Sequence, residues 1–407
     1  MGESPASQAL SVVSPPPARS WLRIWLGRGV MVLFGLLAAW LLLEVMLRVG
    51  FDALPADAQA AIENVRVVPW SDDRIVPVPP WTADTDYQTI LTPDLTHYRV
   101  GRGESLFHVD SISLWGARAG LRTNPPQWPV DIAVVGDSFT VCWTEFDDCW
   151  VERLHQDYAW SVMNLGLAGT GARSHLTVLR NFAIPLEPQV VIWQWYGNDA
   201  NDDYGFGLLR GEYEPIDTPP DIESKPDFGW LACYSAVYAL VRDQMWTSQH
   251  GTPPEWGQYV TVLGHDLRVG DEYNLYGFDL TRPANQHGWD QSIAALQEAA
   301  SVVSEEMGVE LLIVLIPTKE EVYADYVETA LGTAYLDRLR DGRQRMLALC
   351  EAEEWHCLDM LTPFQREVAA GHHVYYAVDL HVNPYGNAVV AAEVDAYLRE
   401  MGLSAEE

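Results

Sequence analysis

The chain has 407 residues, with 57 Asp and Glu against 25 Lys and Arg, and a formal net charge of −32. That balance leaves no basic surplus to neutralise phosphates, which argues against nucleic acid as a partner. The acidity reads instead as a solubilising surface suited to an extracytoplasmic setting, on a chain long enough for one large domain with appendages.

Residues 1–28 are expected to form a disordered cytoplasmic tail, Ser-, Ala- and Pro-rich as far as Ser20 and carrying Pro15-Pro16-Pro17. Gly29 to Leu47 is apolar except for Glu44 and has about the length that crosses a bilayer. Arg19, Arg23 and Arg28 flank its N-terminal side, so the positive-inside rule keeps Met1 in the cytoplasm and sends the chain after Gly50 outward. Glu44 and Arg48 stand four apart near the outer end, where they can pair. A cleaved signal peptide is the alternative, but the small-x-small site Ala58-Gln59-Ala60 lies far beyond the apolar run. The segment is therefore read as a single-pass anchor in the cell membrane. Residues 48–127, rich in Pro, Asp and Trp, read as a juxtamembrane spacer and a β-rich lead-in, with strand-like pieces at His97 to Val100 and Leu106 to Ile112.

Residues 128–407 alternate strand and helix, the pattern of a parallel α/β sheet. Val130 to Val135 is a short β-branched run behind Pro129 that ends in Gly136-Asp137-Ser138, so Ser138 stands at the C-terminal end of a buried strand. Ligands of open α/β sheets bind at that edge. Ser138 is there either as a nucleophile or, with Asp137, as a cap for the next helix. A helix at Trp150 to Tyr158, a strand at Ser161 to Leu165, a helix at Leu176 to Phe182 and a strand at Gln189 to Trp195 follow. An insertion at about 200–291 interrupts the rhythm with an aromatic helix from Trp230 to Trp246 and a hairpin from Tyr259 to Tyr276 turning at Arg268 to Asp271. The rhythm resumes with the helix Trp289 to Met307, the strand Val309 to Ile316, the helix Tyr335 to Glu353, the strand His356 to Leu358 and a closing helix from Gly386 to Met401.

Two of the four intervals between the five cysteines are the same. Cys142 to Cys149 and Cys350 to Cys357 have the same spacing, which suggests two local disulfides with Cys233 left free if the compartment is oxidising. The alternative is that all five are small buried hydrophobes.

A serine hydroxyl attacks a carbonyl only when a histidine takes its proton and an acid fixes that histidine. Ser138 supplies the nucleophile, His381 the base and Asp379 the acid. The oxyanion that forms needs aimed donors, and the backbone N–H groups of Ser138 and Gly169 with the Asn198 amide would provide three.

These residues resemble the SGNH, or GDSL, hydrolases. Gly136-Asp137-Ser138-Phe139 is similar to the first family block, Gly169 within Asn164 to Gly169 to the second, Asn198 within Gly197-Asn198-Asp199 to the third, and Asp379 with His381 to the last, in family order from Asp131 to Met401. The family spaces its Asp and His by two residues where only Leu380 stands here, and Tyr196 replaces the first glycine of the third block. Asp379-x-His381 followed by Asn383-Pro384, with Pro317-Thr318-Lys319-Glu320 upstream, resembles the branch that includes the alginate O-acetyltransferases and their membrane-anchored relatives, which act on exported polysaccharides. The resemblance implies a three-layer, flavodoxin-like parallel sheet with an inserted cap. It further implies a serine esterase or O-acyltransferase acting on acylated glycans, acetyl foremost, through an acyl-serine, within a polysaccharide-modification complex in some members.

Trp143, Trp195, Tyr196, Tyr375 and Tyr376 lie beside the candidate segments and offer flat faces for sugar rings, or pack in the core; Lys319 is a further candidate contact. No metal or cofactor is expected: His372 and His373 adjoin a dyad already in use, and Gly166 to Gly171 is not a dinucleotide fingerprint. A non-catalytic glycan-binding partner of an envelope assembly is the rival reading, disfavoured because a pure binding module has no physical need for a complete triad.

Overall fold

The computed structural model describes residues 21–50, 54, 58, 61–62, 80–100, 103–217, 231, 234–250 and 257–405. The tail before residue 21, Cys233, Trp230 and most of the spacer lie outside the described residues. The chain divides into two compact units, Met1–Val67 with Phe228–Met245, and Val68–Asp227 with Trp246–Glu407.

In the first unit a helix runs from Trp21 to Val49. Its stretch Trp25–Val49 holds an 18-residue window of mean hydropathy 2.5 and is long and apolar enough to cross a membrane. Glu44 and Arg48 pair at 3.2 Å. The aromatic helix expected from Trp230 begins instead at Ala236 and runs to His250. Ser235 supplies the start, its hydroxyl accepting the Tyr238 N–H at 3.1 Å, as a helix-capping serine does.

The second unit opens with the lead-in. Strands β1 (Trp81–Asp84), β2 (Gln88–Leu91), β5 (Ile112–Ser113) and β6 (Gly120–Leu121) form an antiparallel sheet in the order β1-β2-β6-β5, while β3 (Tyr98–Val100) pairs with β4 (Phe107–Val109). Leu106 to Ile112 is thus not one strand. It breaks at Asp110-Ser111, whose side chains accept the backbone N–H groups of His97 (2.7 Å) and Leu95 (2.9 Å) and so turn the chain from one sheet to the other.

Strands β7 (Ile132–Val135), β8 (Val162–Asn164), β9 (Val190–Trp195), β12 (Glu310–Leu315) and β13 (His356–Asp359) form one parallel sheet in the order β13-β12-β9-β7-β8. The order reverses between β7 and β9, the topological switch point where flavodoxin-like folds bind ligands. Alternation builds two cores from one run of residues. Ile132, Val134, Ile192, Leu312 and Val314 join the helices Trp150–Tyr158 and Pro384–Glu400 on one face. Ala133, Val135, Val191, Ile313 and Leu315 join Ala172–Val178 and Pro283–Ser301 on the other. Each fully buried Val, Ile or Leu contributes roughly 1.5–3 kcal/mol, which explains why these strands carry no polar alternation.

In the insertion, β10 (Gln258–Val262) and β11 (His265–Val269) form the hairpin, but it turns at Leu263-Gly264 and not at Arg268 to Asp271. Both turn residues have positive φ, +50° and +84°, the backbone of a two-residue hairpin loop. The Gly270 signal instead ends β11, and Glu272–Phe278 is helical. Helices at Lys319–Val322, Ala324–Leu331 and Leu361–Ala369 were not expected from sequence. Cys142 is bonded to Cys149 and Cys350 to Cys357.

Candidate active site

Ser138 follows β7 after Gly136 and Asp137 and opens a short helical turn, Ser138–Val141. The capping role falls to Asp137, whose carboxylate accepts the Phe139 N–H at 2.8 Å. That division leaves the Ser138 hydroxyl free to face His381, whose Nε2 lies 2.9 Å from Ser138 Oγ. On its other side the imidazole Nδ1 is 2.6 Å from Asp379 Oδ1, and the same oxygen accepts the His381 backbone N–H at 2.9 Å. A carboxylate at Nδ1 keeps the proton there and turns the Nε2 lone pair toward the hydroxyl. Burial alone would raise the Asp379 carboxyl. The neighbouring His381, with hydrogen bonds from His381 and Ser105, outweighs it and holds the group well below the usual carboxylate range. Asp137 lacks comparable compensation, and burial pushes it up to about 6.

Gly136 admits no side chain: a Cβ there would lie 2.1 Å from Thr140 Oγ1 and 2.5 Å from Gln194 Oε1. Gly169 has φ +67°, with only Thr89 near the position of a Cβ, so glycine serves backbone conformation there. Asn198 ends the β9 connection and precedes the helix Asp199–Leu209. Its Nδ2 donates to Asp202 Oδ2 at 2.8 Å, which spends one amide hydrogen and leaves the second. We expect Asn198→Ala to lower ester turnover by roughly a hundred- to a thousand-fold with little change in KM, as loss of one oxyanion donor does. Steady-state kinetics on an activated acetyl ester checks this, and an unchanged kcat removes Asn198 from the oxyanion site.

Most of the residues offered as sugar contacts are buried. Trp195 is 2% exposed, the last residue of β9 on the face toward Pro283–Ser301, where it meets Trp289 edge-on. Tyr196 is packed between Phe139, at 4.1 Å between ring centroids, and Phe278 at 5.0 Å. Tyr375 and Tyr376 are also buried. Trp143, half-buried, stacks on the His381 imidazole at 4.8 Å and on Trp81 at 5.2 Å, so its ring backs the base. Lys319 is buried, its ammonium donating to the Arg268 and Ala377 carbonyls at 3.3 Å each, and burial pushes it down to about 8. It ties β11 to the loop that carries Asp379, a tie repeated by the Arg268 N–H to the Ala377 carbonyl at 2.8 Å.

Sequence reasoning missed the part played by the lead-in. Ser105 donates to Asp379 Oδ2 at 3.0 Å, on the side away from His381. Next to it, the Glu104 carboxylate accepts three consecutive backbone N–H groups, from Ala377 (2.9 Å), Val378 and Asp379 (3.2 Å). Gln88 bridges the segment after Gly169 and the helix after Asn198, donating to the Asp202 carbonyl at 2.8 Å and accepting the Gly171 N–H at 3.1 Å. Arg122, 1% exposed, donates to the carbonyls of Val141, Cys142 and Thr144 and so holds the disulfide loop behind the nucleophile. None of these four sits in a local pattern that signals its role; a lone Arg in the apolar run Ala119-Gly120-Leu121-Arg122 is the nearest thing to a signal.

Among the described residues no group of three or more His, Cys, Asp or Glu is arranged to hold a metal ion. His372 instead meets Glu367 and Tyr385.

Residues 269–407 match the family model described as the SGNH hydrolase-like domain of the acetyltransferase AlgX. No curated protein matches the chain. Among solved structures, the chain is similar to a GDSL-like lipase from Bacteroides thetaiotaomicron VPI-5482, at 11% identity over 68% of this chain and 91% of that one, TM-score 0.33. It is also similar to a catalytic mutant of Axe2, an acetylxylan esterase from Geobacillus stearothermophilus, at 13% identity over 68% and 97%, TM-score 0.36. The parallel sheet in its flavodoxin-like order, with the matched C-terminal third, is an SGNH hydrolase-like fold.

Proposed function

We propose that this SGNH hydrolase-like chain is a membrane-anchored, extracytoplasmic serine esterase or O-acyltransferase that acts on acyl esters of glycans, acetyl foremost, through an acyl-serine. The observation that carries the reading is the unbroken hydrogen-bonded line Ser138–His381–Asp379 at the switch point of the sheet. In this scheme Ser138 Oγ attacks the acyl carbonyl carbon while His381 Nε2 takes its proton, and Asp379 balances the imidazolium. Donors from Ser138, Gly169 and Asn198 receive the oxyanion. Collapse breaks the ester bond, and His381 returns the proton to the departing sugar oxygen. Water or a second sugar hydroxyl, deprotonated by the same imidazole, then takes the acyl group from Ser138, giving hydrolysis or transfer respectively.

The anchor half of the proposal rests on the unburied apolar stretch Trp25–Val49, with Arg19, Arg23 and Arg28 on the side that the positive-inside rule keeps cytoplasmic. The glycan half rests on the sequence resemblance to the alginate O-acetyltransferase branch, beside the match of residues 269–407 to the SGNH hydrolase-like domain of the acetyltransferase AlgX, and a polysaccharide-modification complex is the setting that resemblance suggests. Incubation of the full chain with an activated acetyl ester, followed by intact and peptide mass measurement, tests the chemistry. The expected result is one added acetyl group on the Ser138 peptide, discharged faster when an acceptor glycan is added. Neither adduct nor ester turnover would sink the proposal.

A further inference from the structure

The first unit holds a second feature, at the end of the apolar helix. Between Trp25 and Val49 only Glu44, Leu47 and Arg48 are half-buried, one face of the last turns, while every other residue is exposed. Glu44 accepts the N–H groups of Ala236 (3.0 Å) and Val237 (3.2 Å) and the Ser235 hydroxyl, and Arg48 donates to the Tyr234 carbonyl at 2.8 Å. Leu47, with Leu54, Ala61 and Leu240, packs against the buried cluster Ile62, Ala236 and Ala239. A carboxylate inside an apolar span is costly unless its oxygens are satisfied, and here the otherwise orphaned N–H groups at the start of Ala236–His250 satisfy them. The contact fixes that helix start at the height of Glu44, five residues and so about 8 Å from the end of the span.

Ala236, Ala239 and Asp243 mark the buried face of this helix. On the opposite side Val241 (49% exposed) and Met245 (48%) align with half-buried Tyr238 at i, i+3 and i+7, and exposed Tyr234 precedes them on the same line. Such a stripe held at the rim of a membrane-length helix is continuous with the surface that helix gives to lipid. We propose that Tyr234 to Met245 is an interfacial segment, with Tyr238, Val241 and Met245 seated in the headgroup and upper acyl region of the outer leaflet beside the point where the anchor leaves it. Tyrosine suits that depth, and a half-apolar helix binds there without spanning. The inference rests on the anchored reading above and adds a second membrane contact to it.

The test is a nitroxide scan of the full chain in liposomes, labelling single cysteines at residues 36, 238, 241, 245 and 249 in a Cys233→Ser background without reductant. Collision with oxygen, which concentrates in lipid, is compared with collision with a water-soluble nickel chelate. The expected ratio at 241 and 245 is severalfold above that at 249 and approaches that at 36. High nickel access at 241 and 245 with a lipid-like 36 overturns the inference. Low access to both reagents there means another protein surface covers the stripe, and also overturns it. A water-like 36 instead overturns the anchor itself.

Discussion

Ser138→Ala should lower turnover of an activated acetyl ester by about four to six orders of magnitude, leaving only what oriented donors achieve without a nucleophile. The size follows from the division of labour around Gly136-Asp137-Ser138. Because Asp137 alone caps the helical turn, removing the Ser138 hydroxyl takes away no cap and opens no cavity larger than one oxygen. Stability and substrate binding should therefore stay near wild type while the covalent step disappears. A thermal unfolding midpoint within a degree or so of wild type, measured beside the kinetics, separates this from misfolding. Equal rates for variant and wild type would remove Ser138 as nucleophile and put a non-catalytic glycan-binding role ahead.

What the sequence made legible, and what it did not, divides by the range of the interactions involved. The buried strands at Ile132–Val135, Val190–Trp195 and Glu310–Leu315 announce themselves because every residue but Gln194 and Glu310 is apolar, a signal contained in the run itself. The blocks around Ser138, Gly169 and Asn198 follow from knowing where such strands end, and His381 from the final loop before the closing helix. The hairpin turn was misplaced because Arg268-Val269-Gly270-Asp271 carries the stronger local turn signal, while Leu263 is a poor candidate for positive φ and takes it only because the β10–β11 pairing compensates. The aromatic residues beside the site divided between sugar contact and core packing, and Trp195 and Tyr196 went to the core because the alternation of β9 and its exit turn point them at Trp289, Phe139 and Phe278. Least legible was the lead-in. Ser105 and Asp379 are 274 residues apart, and Gln88 and Asp202 are 114 apart. No window of sequence contains both ends of such a contact, so a segment that reads as a spacer and lead-in holds both the Asp379–His381 loop and the segments that follow Gly169 and Asn198.

Asp379→Asn should cost roughly a thousand- to ten-thousand-fold in kcat on the same ester, and the geometry says which part of the loss dominates. An amide in place of the carboxylate can present either its oxygen or its NH2 to His381 Nδ1. The NH2 orientation would force the imidazole proton onto Nε2, where it faces Ser138 and blocks proton abstraction. In this chain the oxygen that receives Nδ1 also receives the His381 backbone N–H at 2.9 Å, so an NH2 placed there would set two donors against each other. Ser105 adds to the bias, because its hydroxyl can turn and accept from an NH2 at the Oδ2 position, where it now donates. The tautomer is therefore protected, and what the variant loses is the charge that balances the imidazolium as Ser138 attacks. Two measurements separate the causes. If charge is the loss, KM stays near wild type, and Asp379→Glu, which keeps the charge but displaces it, recovers part of kcat. If the tautomer is lost, Asp379→Asn alone already sits at the Ser138→Ala level and adding Ser105→Ala lowers it no further, whereas a protected tautomer makes the double variant slower than Asp379→Asn. A kcat for Asp379→Asn equal to wild type would remove Asp379 from the site altogether, since its carboxyl is held ionised well below the ordinary range mainly against the pull of its own burial.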